Sequence, residues 1–349
     1  MTRTEPLFSH VLALTDGVGI FEHARLRLPR VEHGYCADDV ARALVAVCRD
    51  EPSAVDRSQG RVLEPAVMAG LADVYLDFLE GAQAADGAVV NRRDAHGTPH
   101  GPATLEDCWG RTVWAFGTAA ARSRDLTLAD RATAAFARSA VRRSPWPRSM
   151  AFAGLGAAEM LRVEPGHEVA RALLHDAAAA VGPFRGDREW PWPEQRLTYA
   201  NAVLADVVLA AGDTLNDSEL VDDGLEMLGW LLALQHTGEH LSLTPAAGWA
   251  PGEERPGFDQ QPIEASTLAD ACARAFELTG DPRWSAAVDL CAAWFFGRND
   301  AGTSLYDVGS GGCCDGLERH GRNENQGAES TLALVTTLQH SARLAAVRP

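Results

Sequence analysis

The feature that most constrains the fold of this chain is a helical periodicity that runs through almost all of its 349 residues. Apolar residues, many of them alanine, recur at intervals of three and four, and long alternating stretches of β-branched residues are missing. This pattern predicts an all-α protein. The expected helices span approximately 38–50, 61–82, 105–122, 127–143, 147–161, 166–181, 196–212, 217–236, 263–279, 282–297 and 326–345.

The predicted helices fall into two alternating kinds. One kind follows a long loop, begins with polar or acidic residues such as Asp38-Asp39 or Glu106-Asp107, and then becomes small and apolar. The other kind is amphipathic and charged, as in 64–80. Repeated helical hairpins of this sort build either open arrays or closed rings. We predict a closed ring, the (α/α)6 toroid, in which the N-terminal ends of six inner helices meet around one funnel.

The alternative fold is an open helical solenoid built from the same hairpins. The loops before the inner helices are longer than the loops after them, as expected when one face of a ring carries the function. Polar residues also recur at equivalent places along the chain. No linker rich in proline, serine or charge divides the sequence, so residues 1–349 are predicted to form a single domain.

The charge composition excludes several classes of function. The chain has no lysine, and 48 acidic residues against 31 basic ones give a formal charge of -17. Without lysine there is no P-loop nucleotide site, no pyridoxal-phosphate Schiff base and no lysine general base. The negative charge disfavours a nucleic-acid partner, which requires clustered positive charge. We expect a neutral substrate, with no cofactor and no metal.

The sequence also bears on the compartment. Residues 1–16 contain no apolar stretch long enough for a signal peptide, and no segment approaches the roughly 18 apolar residues of a membrane helix. The seven cysteines are odd in number and form no CxxC pair, which favours reduced thiols. We therefore expect a cytoplasmic protein without membrane insertion. A homodimer is compatible with the sequence, although no residue pattern specifies one.

Carboxylates at the starts of the predicted inner helices are the leading candidates for chemistry. One carboxylate at a helix start serves as a cap, but a set at matching positions converges on the funnel. Carboxylates in a partly desolvated funnel raise one another's pKa values and leave an acid beside a base, the pair that glycoside hydrolysis needs. The predicted catalytic residues are Asp39, Glu264 and Glu329, with Asp38, Glu106 and Asp107 in reserve.

The geometry of a helix sets further expectations for these carboxylates. Neighbouring helical residues point about 100° apart, so we expect one of Asp38 and Asp39, and one of Glu106 and Asp107, to face the funnel. Arg111 stands four residues after Asp107, a spacing that suits an ion pair. A wide funnel favours a large separation between acid and base, and hence an inverting hydrolase.

Aromatic and polar residues near the inner helices are the predicted sugar contacts. Tryptophans in loops are available to stack on sugar faces, whereas those within helical patterns are expected in the core. Two of the nine tryptophans lie in the proline-rich loop 189–194, directly before an inner helix. The predicted substrate contacts are Tyr35, His33, Trp109, Arg111, Trp190, Trp192, Tyr199, Asn201 and Gln326.

Two other functions fit the same sequence. A sugar epimerase or isomerase would need a histidine pair in the funnel, and His10, His23 and His33 cluster near the first inner helix. Together with Glu22, Glu32 and Cys36 they also suggest a metal site, but their spacing matches no compact ligand motif. A glycan-binding or scaffold module would instead bind sugar without turnover.

Two segments resemble a known family. Residues 33–44 (HGYCADDVARAL) and 323–332 (NENQGAESTL) resemble motifs of bacterial (α/α)6 domains that are related to six-hairpin glycosidases and often loosely labelled glycosyltransferases. Val40 replaces an asparagine that is expected in many relatives. The resemblance implies the toroid fold and a carbohydrate-linked role, with no assigned catalytic residue. Together with the candidate site residues, this leads us to predict an oligosaccharide or glycoside substrate. The βαβ alternation of a nucleotide-sugar domain is absent from the sequence.

Overall fold

The structure is a computed structural model that describes residues 7–182 and 189–347. The segment 1–16 is expected to lack a signal peptide, and its first six residues lie outside the described ranges. In chain order the helices are α1 (Ser9–Ala13), α2 (Ala37–Cys48), α3 (Ala54–Ser58), α4 (Pro65–Ala82), α5 (Asp107–Arg122), α6 (Leu126–Ser139), α7 (Pro147–Val163), α8 (Glu168–Val181), α9 (Ala202–Leu215), α10 (Ser218–Gln235), α11 (Pro262–Thr279), α12 (Pro282–Phe295) and α13 (Ala328–Val347).

The strands are short antiparallel pairs in the loops before inner helices. They are β1 (Ala24–Arg25), β2 (Leu28–Pro29), β3 (Tyr35–Cys36), β4 (Val89–Arg93), β5 (Pro99–Thr104), β6 (Gly316–Glu318) and β7 (Gly321–Asn323). Strand β1 pairs with β2, β4 pairs with both β3 and β5, and β6 pairs with β7. Helical periodicity does not reveal elements this short, and the sequence predicts none of them.

Six helices form the inner ring. Helices α2, α5, α7, α9, α11 and α13 contact one another in that order, and α13 contacts α2 again. Their residues are small and buried on nearly every side, as in α9, where 202–212 are all buried. This contact between the first and last inner helices closes the ring, so the open solenoid is excluded and the predicted toroid is confirmed.

The outer helices pack on the outside of this ring. Helices α4, α6, α8, α10 and α12 contact α2, α5, α7, α9 and α11, respectively, and the short α1 contacts α13. Helices α1 and α3 have five residues each and were not predicted, because one turn carries no periodic signal.

The largest error in a predicted boundary concerns α9. It begins at Ala202 rather than near residue 196. The preceding Leu197 forms an antiparallel bridge with Trp249, and Ala200 has a φ of 46°, in the left-handed region. The chain therefore makes a turn before the helix begins. None of the described helices combines the length and the hydrophobicity required of a membrane span.

Candidate active site

The N-terminal ends of the inner helices surround a cavity of about 430 Å³. This volume is within the range of small-molecule sites. Its lining comprises Glu22, His23, Cys36, Asp38, Asp39, Arg42, Arg92, Asp107, Arg111, Tyr199, Gln261, Asp315, Gly327, Glu329 and Ser330. The cavity lies where the sequence predicts the funnel.

Most outer helices begin differently from the inner ones. The N-cap residues of the outer helices α6, α8, α10 and α12 accept backbone hydrogen bonds through their side chains, whereas that of the outer helix α4 does not. Those of α2, α5, α7, α9 and α11 make no such bond. The positive ends of these inner helix dipoles therefore point toward the cavity without a capping side chain, which stabilises negative charge there.

Arg42 joins two carboxylates at the point where the ring closes. Its Nη1 donates to Asp39 Oδ1 and its Nη2 donates to Glu329 Oε2, both at 2.6 Å. The Asp39 side chain is 3% exposed, whereas that of Glu329 is 38% exposed. Burial raises the pKa of Asp39 to about 6, although Arg42 opposes this effect. Glu329 is thus the accessible member of the pair, and Asp39 lies beneath it.

Arg111 lies between a second pair of carboxylates. Its Nε is 3.3 Å from Asp38 Oδ1, and its Nη2 is 4.0 Å from Asp107 Oδ2, in agreement with the predicted ion pair. The guanidinium carbon lies 3.9 Å from the centroid of the Phe152 ring. Burial raises the pKa of Asp38. Among the described residues, Asp38 Oδ1 accepts no hydrogen bond and Arg111 Nε donates none.

Asp107 is held by hydroxyl groups from two neighbouring inner-helix segments. Ser149 Oγ of α7 donates to Asp107 Oδ1 at 2.8 Å, and the hydroxyl of Tyr199, before α9, donates to Asp107 Oδ2. The neighbouring Glu106 is exposed outside the cavity, so one member of that doublet faces the funnel as predicted.

The first doublet departs from this expectation. Both Asp38 and Asp39 line the cavity. Asp38 approaches Arg111 of α5, whereas Asp39 binds Arg42 near α13. Because the cavity lies at the end of α2 rather than along one side, carboxylates that point in different directions both reach it.

Glu22, Cys36 and Asp39 form a candidate metal cluster, with ligand atoms within 4.8 Å of one another. Arg92 binds Glu22, and Arg42 binds Asp39. The thiol of Cys36 donates to Asp39 Oδ2 at 3.2 Å, and burial raises its pKa well above the usual range. Each carboxylate already has a cationic partner and the sulfur is a thiol rather than a thiolate, so the donor set fits a metal poorly.

The histidines do not form a pair in the cavity. Of the described histidines, His23 lines it, and burial, assisted by the neighbouring His33, lowers its pKa. The ring centroid of His33 lies 5.3 Å from that of His23, but His33 is outside the lining. His10 is buried, with its Nε2 3.0 Å from the carbonyl oxygen of Gln326.

Glu264 does not reach the cavity. It is 4% exposed, and it accepts hydrogen bonds from the backbone amides of Ala200 and Asn201 and, at 2.9 Å, from Asn201 Nδ2. Burial raises its pKa to about 7. These contacts hold the turn before α9, so the predicted acid Glu264 and the predicted sugar contact Asn201 bind each other.

Four aromatic residues predicted as sugar contacts lie outside the cavity. Trp109 is buried, and Tyr35 is buried with its hydroxyl donating to Asp16 Oδ2 at 2.7 Å. Trp190 and Trp192 pack on Trp230, with ring centroids 4.9 Å and 5.7 Å away. These tryptophans anchor the loop before α9 instead of presenting their faces to the cavity. Their large apolar surfaces explain why they are buried.

The side chain of Gln326 also lies outside the cavity lining and is held by two hydrogen bonds. Its Nε2 donates to Asp307 Oδ2 at 2.7 Å, and its Oε1 accepts a hydrogen bond from Ser310 at 2.6 Å. Of the predicted contacts, Arg111 and Tyr199 line the cavity.

Several lining residues were not among the predicted site residues. Arg42 follows Asp39 by three residues, the spacing of a helical ion pair, and this signal was available in the sequence. Arg92 and Asp315 come from strand and loop segments that no helical periodicity places at the funnel. Asp315 accepts a hydrogen bond from the Gly327 amide at 2.7 Å, which fixes the turn before α13.

No protein-family model and no curated protein matches this sequence. Among solved structures, it is similar to a sugar epimerase from a ruminal bacterium, with a TM-score of 0.69 and 11% identity, covering 98% of this chain and 96% of that chain. It is also similar to the cellobiose 2-epimerase from Bacillus thermoamylovorans B4167, with a TM-score of 0.68 and 12% identity, covering 99% of this chain and 97% of that chain.

A third similar structure is a metagenome-derived glycoside hydrolase family 9 endoglucanase. Its TM-score is 0.60 at 14% identity, covering 93% of this chain and 70% of that chain. At these identities the similarity establishes the (α/α)6 toroid fold. The glycosyltransferase label that the two sequence motifs suggest finds no support in these three structures and stays a prediction.

Proposed function

We propose that the chain is a carbohydrate-active enzyme, specifically a glycoside hydrolase that uses a carboxylate acid and base. The observation that carries this proposal is the convergence of Asp38, Asp39, Asp107 and Glu329, from three inner helices, on one cavity. Similarity of fold to an endoglucanase and to sugar epimerases supports a carbohydrate substrate. The fold alone does not choose the reaction, so the argument depends on the side chains.

Asp38 is the proposed general acid. A general acid must hold a proton near neutral pH and reach the substrate. Burial raises the pKa of Asp38, and its side chain remains 19% exposed. In the proposed mechanism, this carboxyl group protonates the glycosidic oxygen of the leaving sugar.

Glu329 is the proposed general base. Arg42 donates a hydrogen bond to one of its oxygens, and its side chain is the most exposed of the four, at 38%. The acid and the base belong to different helices, α2 and α13. An inverting reaction, in which the base activates a water molecule that attacks the sugar carbon, is the form we propose for this pair. Asp39 and Asp107, whose oxygens accept hydrogen bonds from Arg42, Ser149 and Tyr199, position these groups.

The test is product analysis by mass spectrometry and anomeric NMR, on a panel of α- and β-linked gluco-, manno- and galacto-oligosaccharides. Asp38→Asn and Glu329→Gln should each lower the cleavage rate by about 100-fold or more. The matched control is Glu106→Gln, which changes an exposed carboxylate beside Asp107 but outside the cavity. Full activity of Asp38→Asn would overturn its assignment, and a retained anomeric configuration would overturn inversion.

A sugar epimerase or isomerase is the second candidate. The two epimerase structures align with this chain over 96% and 97% of their own length, against 70% for the endoglucanase. His23, with its Nε2 3.6 Å from Glu22 Oε1, would then be the acid/base group of the cavity. Incubation of reducing sugars in deuterium oxide separates the two reactions, because proton abstraction beside the carbonyl group incorporates deuterium without cleavage. Saturable binding with neither reaction would indicate a binding module.

A further inference from the structure

Two aromatic side chains stand out on the face that carries the cavity. Among the large hydrophobic residues exposed in the described ranges, Trp146 and Tyr199 are the aromatic ones, with exposures of 57% and 37%. Trp146 directly precedes α7, and Tyr199 lies just before α9. Helices α7 and α9 are neighbours in the inner ring. Both side chains therefore belong to the end of the toroid where the cavity opens.

Buried contacts fix the segments that carry these two residues. Arg148 is buried, and its Nε donates to the Tyr199 carbonyl oxygen at 2.6 Å. Its guanidinium carbon lies 5.2 Å from the centroid of the Tyr199 ring. Arg148 Nη1 and Nη2 also bind Glu194, at 2.5 Å and 2.7 Å. Trp146 stands two residues before this anchor.

The backbone around Trp146 is restricted as well. It lies between Pro145 and Pro147, whose rings fix their own φ angles and limit the residues before them. Its amide donates to Ser144 Oγ at 3.1 Å. The backbone at Trp146 is therefore fixed before a ligand binds, which limits the entropy lost when the exposed indole stacks on a ligand.

Contacts link the position of Trp146 to the proposed catalytic cavity. Tyr199 lines the cavity, and its hydroxyl donates to Asp107. Ser149, about one helical turn after Trp146, donates to the other oxygen of Asp107 at 2.8 Å. A ligand that leaves the cavity past Asp107 and Tyr199 therefore passes over the start of α7.

We propose that Trp146 stacks on a sugar ring of the substrate outside the cavity, so that the substrate is a neutral oligosaccharide of three or more units. This inference rests on the proposed function. The indole provides an apolar face that matches the C–H face of a pyranose ring. The requirement for a neutral ligand follows from the lining, in which five carboxyl groups besides the proposed acid Asp38 stand against three arginines and so disfavour uronates and sugar phosphates.

The experiment is isothermal titration calorimetry with β-1,4-gluco-, β-1,4-manno- and α-1,4-gluco-oligosaccharides of two to six units. The titrations use the Asp38→Asn background, or the unmodified chain where no cleavage occurs. For the series that binds, Trp146→Ala should weaken the binding of trimers and longer chains by roughly tenfold and leave the dimer unchanged. Trp146→Phe, which keeps an aromatic face, should restore most of the affinity.

The matched control is Leu126→Ala. Leu126 is 78% exposed and begins the outer helix α6, at the opposite end of the toroid, so its removal should leave all affinities unchanged. Equal affinity of Trp146→Ala and the parent for long chains would overturn the inference, as would no binding of any series. Length-dependent binding through Trp146 by a chain with Asp38 intact that cleaves none of the series it binds would refute the hydrolase and leave this inference standing.

Discussion

At the scale of single residues, position along a helix did not determine the role of a carboxylate. Glu264 and Glu329 both lie in the first turn of an inner helix, and the sequence pattern predicts the same role for both. In the structure Glu264 turns toward the backbone of Ala200 and Asn201, whereas Glu329 lies in the cavity. The difference arises from the turn before α9, whose left-handed Ala200 presents its amide to Glu264. No sequence periodicity signals that turn.

Glu264→Gln should change how stability depends on pH. The pKa of Glu264, raised by burial, is about 7 in the folded chain, and the unfolded value is near 4.5. The unfolded carboxyl group therefore ionises first, and the stability of the unmodified chain falls as pH rises from about 4.5 to about 7. Between pH 6 and pH 8, urea unfolding should show the variant gaining about 1 kcal/mol relative to the parent. A pH-independent difference would contradict this assignment.

The cysteines should be unreactive in the folded chain. All seven are free; six are buried and Cys48 is half-buried. Burial raises the pKa of each thiol, for example that of Cys108 to about 11 and that of Cys314 to about 12, so the reactive thiolate is scarce at pH 8. Mass spectrometry after iodoacetamide treatment at pH 8 should find no adduct in the native protein and seven after denaturation. Rapid native labelling of Cys36 would show that the cavity thiol is activated.

At the scale of elements, close contact between two inner helices sets limits on their sequences. A Cβ atom added at Gly117 of α5 would lie 2.1 Å from the carbonyl oxygen of Gly156 in α7, and one at Gly110 would lie 2.2 Å from that of Ser149. These obstacles are backbone atoms and cannot rotate away. The glycines allow α5 and α7 to approach closely, and Asp107 and its donor Ser149 lie at this same helix pair.

Gly117→Ala should therefore destabilise the protein by about 3 kcal/mol, the upper range of overpacking in a core. Gly70→Ala is the matched control, because Gly70 lies in the middle of the outer helix α4 with nothing within 4 Å of the added Cβ. Alanine at that exposed helical position should stabilise the protein by about 0.5 to 1 kcal/mol. Chemical denaturation followed by circular dichroism measures both changes, and similar effects at the two positions would argue against the close α5–α7 contact.

The long helices and much of the site could be predicted from the sequence. Polar helix starts followed by small apolar residues mark the inner helices, and this pattern places Asp107, Glu329 and one of Asp38 and Asp39 at the funnel, where the structure has both members of that doublet. The same pattern fails for Glu264, which does not line the cavity. The short strands that bring Arg92 into the lining were missed, because their paths depend on pairing rather than periodicity. Loop tryptophans were misassigned because exposure cannot be inferred from loop position. Trp192 in a loop is buried among other tryptophans, and Trp146, also before an inner helix, is exposed.

At the scale of the whole molecule, ion pairs across the ring couple helices that are far apart in sequence. Arg49, at the end of α2, donates to Asp270 Oδ1 of α11 at 2.9 Å. His340 of α13 approaches the same oxygen at 2.6 Å. Gln339 of α13 also donates to the Ala46 carbonyl oxygen at 2.8 Å. The first and last inner helices are thereby joined, which predicts that the ring unfolds as a unit.

Asp270→Asn tests this coupling. Burial alone would raise the pKa of Asp270, but Arg49 and His340 outweigh that effect and hold the pKa at about 2. The ionised carboxylate therefore stabilises the folded chain fully above the pKa of the unfolded state, near 3.8, and this contribution is lost as the pH falls toward 2. Removing the charge at pH 7 leaves Arg49 without its closest partner and should lower the free energy of unfolding by about 3 kcal/mol. Glu277→Gln, on the same helix as Asp270, breaks an exposed pair with Arg343 and should change it by less than about 1 kcal/mol. For the unmodified chain, circular dichroism and tryptophan fluorescence should report a single shared transition in urea. Two separate transitions in that chain would instead show that the ring opens in parts and that its closure contributes little to the cooperativity of folding.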